Sequence, residues 1–346
     1  MRAALLEAYD APMPVREVDD PHVPEHGVVV RVLACGICRS DWHAWKGHWA
    51  DFFKLPHVLG HEMCGVIEEV GKGVKRFSKG ERVLIPFCGG EGTCPQCRAG
   101  HSNICDFPFT PGFSHWGGFA EYVAIQYADF NLEVLPDSID TIAAAGMGCR
   151  FITAFHALVT RAGLNAGEWV AIYGCGGVGL SAVQIAAAAG AHPVCIDIND
   201  EALALAETLG ARATINAKNT ADAPEAVHDI TEGGAHIALD ALGHEQTCRN
   251  ALLSLRKRGR HVQVGMSDGV DDIALPIDSI IGKELSLVGS KGMPANNLDT
   301  LLRLVSDGRL DPMRLVSKTV SLEETGNVLN DMSGFNTQGF VVIDRF

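Results

Sequence analysis

A chain of 346 residues with 42 acidic and 28 basic side chains, formal net charge −14, has room for about two domains at roughly 150 residues each. Its 47% hydrophobic and 20% charged residues exclude wholesale disorder, and the acidic balance excludes a general nucleic-acid binder. No apolar run is expected to reach the roughly 18–20 residues of a membrane helix, and residues 1–7 break too soon for a signal peptide, so a cytoplasmic protein with no membrane partner is expected.

In chain order, the first ~145 residues read as β-rich. Short β-branched runs at 28–33, 65–70 and 82–86 are separated by Gly, Pro and Asp turns, and 117–125 reads as a further turn and strand. Around Pro136-Asp137-Ser138 the character changes to alanine-rich helical patterns alternating with compact apolar strands. Residues 169–173 read as a strand running into Gly174, followed by a helix at 180–189. Then come a strand at 193–197, a helix at 201–209 closed by Gly210, and strands at 235–240 and 261–265. A helix at 298–305 and a strand at 340–343 end the pattern. Such strand–helix alternation predicts a parallel, doubly wound sheet.

Eleven cysteines, an odd number, argue against a disulfide framework. Cys94, Cys97 and Cys105 crowd one Gly/Pro-rich loop, where a Cys-x-x-Cys pair on a turn aims two sulfurs at one centre and suits tetrahedral zinc. Free thiols in a loop are the alternative. Cys64, Cys175, Cys195 and Cys248 sit in apolar or glycine-rich surroundings and read as small core hydrophobes.

Gly174-Cys175-Gly176-Gly177-Val178-Gly179 satisfies G-x-G-x-x-G between a predicted strand and helix, with Asp197 at the end of the next strand. The glycines permit a tight turn and close pyrophosphate approach, and the helix N-terminus offers unsatisfied N–H groups. Asp197 can accept hydrogen bonds from an adenosine ribose and would repel a 2′-phosphate, so NAD is preferred over NADP. A purely structural crossover is the alternative.

Two further stretches carry chemistry: Cys38-Arg39-Ser40-Asp41-Trp42-His43, and Gly60-His61-Glu62 followed by Gly65, Gly71 and Val74. Together with the cysteine loop, Gly117-Gly118-Phe119-Ala120-Glu121-Tyr122, Cys149-Arg150-Phe151-Ile152-Thr153-Ala154 and the dinucleotide turn, they resemble, in order, the zinc-dependent alcohol dehydrogenases of the medium-chain dehydrogenase/reductase superfamily. The resemblance covers nearly the whole chain.

It implies an α/β protein in which a Rossmann domain, 151–289, is inserted into a β-rich, chaperonin-10-like catalytic domain, 1–150 and 290–346, carrying a zinc lobe at about 88–105. Carried over residue by residue, it implies Cys38, His61 and Cys149 as ligands of a catalytic zinc whose fourth position is open. Glu62 matches an acid beside the metal that can transiently reach it, and Asp41 the carboxylate orienting the histidine ligand. Ser40 and His43 match a proton relay, Arg39 a pyrophosphate contact, and Thr153 a residue near the nicotinamide. Gly174, Gly176, Gly177, Val178, Gly179 and Asp197 would hold the rest of the cofactor.

The implied activity is reversible oxidation of an alcohol to an aldehyde or ketone, with hydride transfer to NAD through a zinc alkoxide. A polyol or amino-alcohol dehydrogenase, or a non-catalytic NAD(P)H-binding member, is the alternative; Cys149, where polyol enzymes usually carry Glu, favours the alcohol dehydrogenase branch. Trp45, Trp49 and Phe87 match substrate-pocket positions. Phe340 stands where the family often places a pyrophosphate-binding arginine. The family also suggests a homotetramer or homodimer.

The usual first cysteine of the four-thiol lobe is replaced by Glu91. With Cys94, Cys97 and Cys105 it would complete a structural zinc site, giving two zinc ions per chain; Cys88 is the competing fourth ligand.

Overall fold

Val28-Val29-Val30-Arg31-Val32 has the β-branched make-up of a strand, and Val28–Ile37 forms the centre of a seven-stranded sheet. A computed structural model describes residues 1–267, 272–334 and 338–346. The chain divides into two compact units, Met1–Ile152 with Gly292–Phe346, and Thr153–Lys291.

In the first unit, Val28–Ile37 pairs antiparallel with Phe340–Arg345, Glu62–Val70 and Tyr122–Ile125. Arg82–Ile85 and Glu133–Val134 extend one side, and Val316–Ser321, parallel to Phe340–Arg345, extends the other. Arg2–Ala4 and Val15–Glu17 form a separate pair. Buried Val28, Val30, Ile37, Met63, Ile67, Ile85, Phe119 and Ile343 belong to one core. The register places Gly36 opposite Glu62, which brings the end of one strand beside the start of the next.

The second unit carries six parallel strands in the order Ala213–Asn216, His192–Asp197, Trp169–Tyr173, Ala235–Asp240, Leu255–Gln263, Ser286–Gly289. Numbered along the unit this is 3-2-1-4-5-6, the doubly wound order, which reverses direction beside Trp169–Tyr173. The central strands Trp169–Tyr173, His192–Asp197 and Ala235–Asp240 are mostly apolar and buried, as strands covered on both faces are, whereas Ser286–Gly289 at one edge is largely exposed. Asn199 caps the helix Asp200–Leu209 by accepting from Glu201 and Ala202 N–H, and Gly210 closes it in the left-handed region.

One expectation is corrected. The helical stretch Thr141–Arg161 is long and apolar enough to cross a membrane by length and composition, and 89% of its apolar window is buried inside the protein. It is a core helix, which satisfies the same criterion as a membrane span.

Candidate functional site

The helix Arg39–Lys46 begins at Cys38, which serves as its N-cap. Asp41 at the third helical position closes a capping box, its Oδ2 accepting from the Cys38 backbone N–H at 2.9 Å. Its other oxygen accepts from His61 Nδ1 at 3.0 Å and from Gly60 N–H at 3.1 Å. A single buried carboxylate thus ties the cysteine end of one segment to the histidine of another. With Nδ1 committed to Asp41, Nε2 is the ring nitrogen of His61 left for a metal; it is buried and has no hydrogen-bond partner among the described residues.

The third donor comes from the helix Thr141–Gly146, which widens into a π-helical stretch over Met147–Phe151. Such insertions reorient side chains and recur at functional sites. This one carries Cys149 and Arg150. Cys38, His61, Glu62 and Cys149 are all buried, with a donor atom from each lying within 4.8 Å of the others. Cys38 Sγ lies 3.8 Å from Ser40 Oγ.

The electrostatics favour a cation here. A hydrogen bond from Cys149 holds the Cys38 thiol well below the usual range, helped against burial by the positive charges of His61 and Arg150. Cys149 is correspondingly raised, since it retains the proton the pair shares. Burial opposes charge on His61, but the Asp41 carboxylate raises it well above its usual value. Burial pushes Glu62 up to about 7, against the pull of Arg150. Two thiols and an imidazole with an unpartnered buried nitrogen suit zinc.

A second donor set forms in residues 91–105. Cys94 caps a single helical turn, Pro95–Arg98, its sulfur accepting from Cys97 N–H at 3.4 Å, and its Sγ lies 3.6 Å from Cys105 Sγ. A donor atom from each of Glu91, Cys94, Cys97 and Cys105 lies within 4.8 Å of the others. Glu91 also accepts from the N–H groups of Thr93 and Cys94, at 2.9 and 2.5 Å, and from the Thr93 hydroxyl. Cys88 is outside the set: its thiol donates to Met293 O at 3.7 Å.

In the other unit, Gly174 adopts a left-handed φ of 92° and opens the glycine turn. A Cβ on Gly179 would meet Gly174 O at 1.8 Å, so only glycine lets the helix Gly177–Ala188 start this close to its strand. Among the described residues no side chain caps that helix, leaving the N–H groups of Gly177, Val178 and Gly179 for an anion. Asp197 Oδ2 accepts from Cys175 N–H at 2.6 Å, and Oδ1 from Ile198 and Asn199 N–H at 2.7 and 2.9 Å. The acid at the end of the second strand is therefore stitched to the turn itself. Thr153 is buried, its hydroxyl without a hydrogen-bond partner among the described residues.

The alcohol dehydrogenase GroES-like domain family matches residues 24–136, and the zinc-binding dehydrogenase family matches 177–307. An alcohol dehydrogenase of Geobacillus stearothermophilus is 35% identical over 99% of both chains, and an NAD-dependent alcohol dehydrogenase of Saccharolobus solfataricus 32% identical over 99% of both. This chain belongs to the zinc-dependent alcohol dehydrogenases of the medium-chain superfamily. The solved alcohol dehydrogenase of Thermus sp. ATN1 superposes with a TM-score of 0.91 at 32% identity, covering 100% of both chains.

Among the aromatic residues expected around the site of this alcohol dehydrogenase, Phe87 meets the His61 ring edge-on at 5.8 Å. Trp49 stacks on His43 at 5.4 Å. Trp45 is a core residue, its indole N–H donating to Ala11 O at 2.7 Å. Sequence reasoning missed Phe113, 4.9 Å from the His61 ring, and His48, whose Nδ1 lies 2.9 Å from that of His43. Arg39 donates to Met332 O at 2.8 Å and lies over the Trp42 ring. The largest omission is Arg150, an ion-pair partner of Glu62 that nothing but its place after Cys149 could have flagged.

Proposed function

We propose that this NAD-dependent alcohol dehydrogenase uses Cys38, His61 and Cys149 to hold its catalytic zinc, and Glu91, Cys94, Cys97 and Cys105 to hold a second, structural zinc. The observation that carries the reading is the convergence of two buried sulfurs on a buried histidine nitrogen that has no hydrogen-bond partner among the described residues. When bound, zinc supplies Lewis acidity toward an alcohol or carbonyl oxygen, and NAD accepts or returns the hydride.

The chain's own residues supply the rest. Asp41 fixes the tautomer and orientation of His61. Ser40 accepts the hydroxyl proton of an alcohol as it gives up its own, and His43, paired with His48, takes on the released proton and delivers it to solvent. Phe87, Trp49 and Phe113 give the substrate an apolar wall suited to a small alcohol. Gly174, Gly176, Gly177, Val178 and Gly179 bind the pyrophosphate, and Asp197 the ribose, which selects NAD over NADP.

Eleven free, buried cysteines support a reducing compartment, the cytoplasm, and the active form is a homotetramer or homodimer. The test is metal analysis of the purified protein together with nicotinamide absorbance over a panel of alcohols with NAD and with NADP. Two zinc ions per chain and NAD-dependent turnover are expected; no turnover with any alcohol or carbonyl would reject the reading.

A further inference from the structure

The Glu62 carboxylate sits among the donors of the catalytic metal, yet its hydrogen bonds run to Arg150. Oε1 accepts from the Arg150 backbone N–H at 3.1 Å and from Nε at 2.8 Å, while Oε2 accepts from Nε at 3.1 Å and from Nη2. Arg150 is buried in its turn. Its guanidinium lies 4.0 Å from the centre of the Phe340 ring, and Nη1 faces Gly339 O at 3.4 Å. The space for the pair exists because residue 36 is glycine: a Cβ there would stand 2.3 Å from Glu62 Oε2 and 3.2 Å from Arg150 Nη2.

A carboxylate this close to two thiols and an imidazole is a competent fourth zinc ligand, and a zinc with four protein ligands is closed to substrate. What Glu62 does is decided by competition. Binding metal would break charge-assisted, fork-like hydrogen bonds and leave a guanidinium buried without its partner.

We propose that Arg150 is a positioning residue: it holds Glu62 out of the metal's coordination shell and so reserves the fourth position for the substrate oxygen. This rests on the reading of Cys38, His61 and Cys149 as metal ligands. It also revises the expectation that Glu62 reaches the metal, since in this chain that excursion is opposed by a partner of its own.

The test uses cobalt(II)-exchanged protein, whose visible spectrum reports the donor set, with imidazole as a probe of an open position. Arg150→Met is expected to shift the spectrum and weaken imidazole binding by about tenfold or more, as the freed carboxylate competes for the same place. KM for alcohol should rise more than kcat falls. Arg150→Met combined with Glu62→Gln leaves neither charge buried alone, and should regain the wild-type spectrum and imidazole affinity. Should Arg150→Met fail to fold, Arg150→Lys keeps the charge but loses the fork, and a partial shift is expected.

An unchanged spectrum and imidazole affinity in the folded single variants, or a double variant as impaired as Arg150→Met, would overturn the proposal. Neither readout needs turnover. An inactive wild type would therefore reject the proposed function alone, whereas a wild type that takes up no cobalt at these residues would reject both.

Discussion

The two donor sets of the first unit are equal in size and opposite in construction. Cys38, His61, Glu62 and Cys149 come from three distant segments, assembled by strand register, a capped helix start and a widened helical turn, and all are buried. Glu91, Cys94, Cys97 and Cys105 come from one loop, with the glutamate half exposed. In the first set the carboxylate is committed to a buried arginine; in the second, among the described residues, it is tied to Thr93 and Cys94 beside it. A set assembled by the whole fold can hold an open position against its own carboxylate. One assembled within a loop has no such scaffold, and a metal bound there would organise the loop instead.

The sharpest way to break this comparison is Cys38→Ser. Losing one of three ligands should cost the catalytic metal and about a thousandfold or more in kcat/KM, the several kcal/mol that Lewis-acid metal chemistry supplies. The lobe metal should stay, giving one zinc ion per chain by metal analysis. Loss of both ions would show that the sets are not independent. Next comes Asp41→Asn. Asp41 accepts from three N–H groups, and an amide would turn one oxygen into a donor facing another donor. Metal affinity at the catalytic site is expected to fall about 10–100-fold, measured by competition with a chelator. No change would mean that Asp41 only caps its helix.

Smaller effects are expected in the loop. Glu91→Ala should release the lobe metal at lower chelator concentration and lower the unfolding midpoint, about 2–4 °C for each kcal/mol lost. Cys88→Ser should do neither, because Cys88 already faces Met293 O. Metal loss in Cys88→Ser but not in Glu91→Ala would transfer the fourth ligand to Cys88.

Much of this architecture is legible in residue pattern. The central strands of the parallel sheet are short, mostly apolar runs, and the glycine turn has a steric reason that a reader of sequence can state: Gly179 must approach Gly174. The local donor set is legible too, since its spacing is its geometry. The helix Arg39–Lys46 is not, because its start is marked by a cysteine and an aspartate in a capping box rather than by an apolar period. Least legible is the Glu62–Arg150 pair. Its members are 88 residues apart, and their contact depends on the strand register, the widened helical turn and the glycine at position 36 all at once.

The smallest effect tests the claim that a nearby carboxylate, rather than burial, prepares a histidine for the metal. His57 and His61 lie four residues apart and both are buried. Asp41 raises His61, whereas burial lowers His57 to about 4, with Gly112 O, 3.2 Å from its Nε2, pulling weakly the other way and His115 adding to the depression. The His57 ring stacks on Phe53 at 4.6 Å and, among the described residues, has no carboxylate hydrogen-bonded to it. In the unfolded chain a histidine titrates near its ordinary value of about 6.5. Between that value and about 4 the unfolded chain therefore binds a proton that the folded protein refuses. Stability at this residue is fully present above the upper value and falls as the pH drops, by about 2 kcal/mol at pH 5. His57→Gln should cost stability at neutral pH by losing the stack, yet lose less than wild type between pH 7 and pH 5. Denaturant unfolding at the two pH values measures this difference. Identical pH dependence in wild type and variant would show that His57 protonates as easily folded as unfolded, and that burial without a carboxylate partner does not keep a histidine neutral.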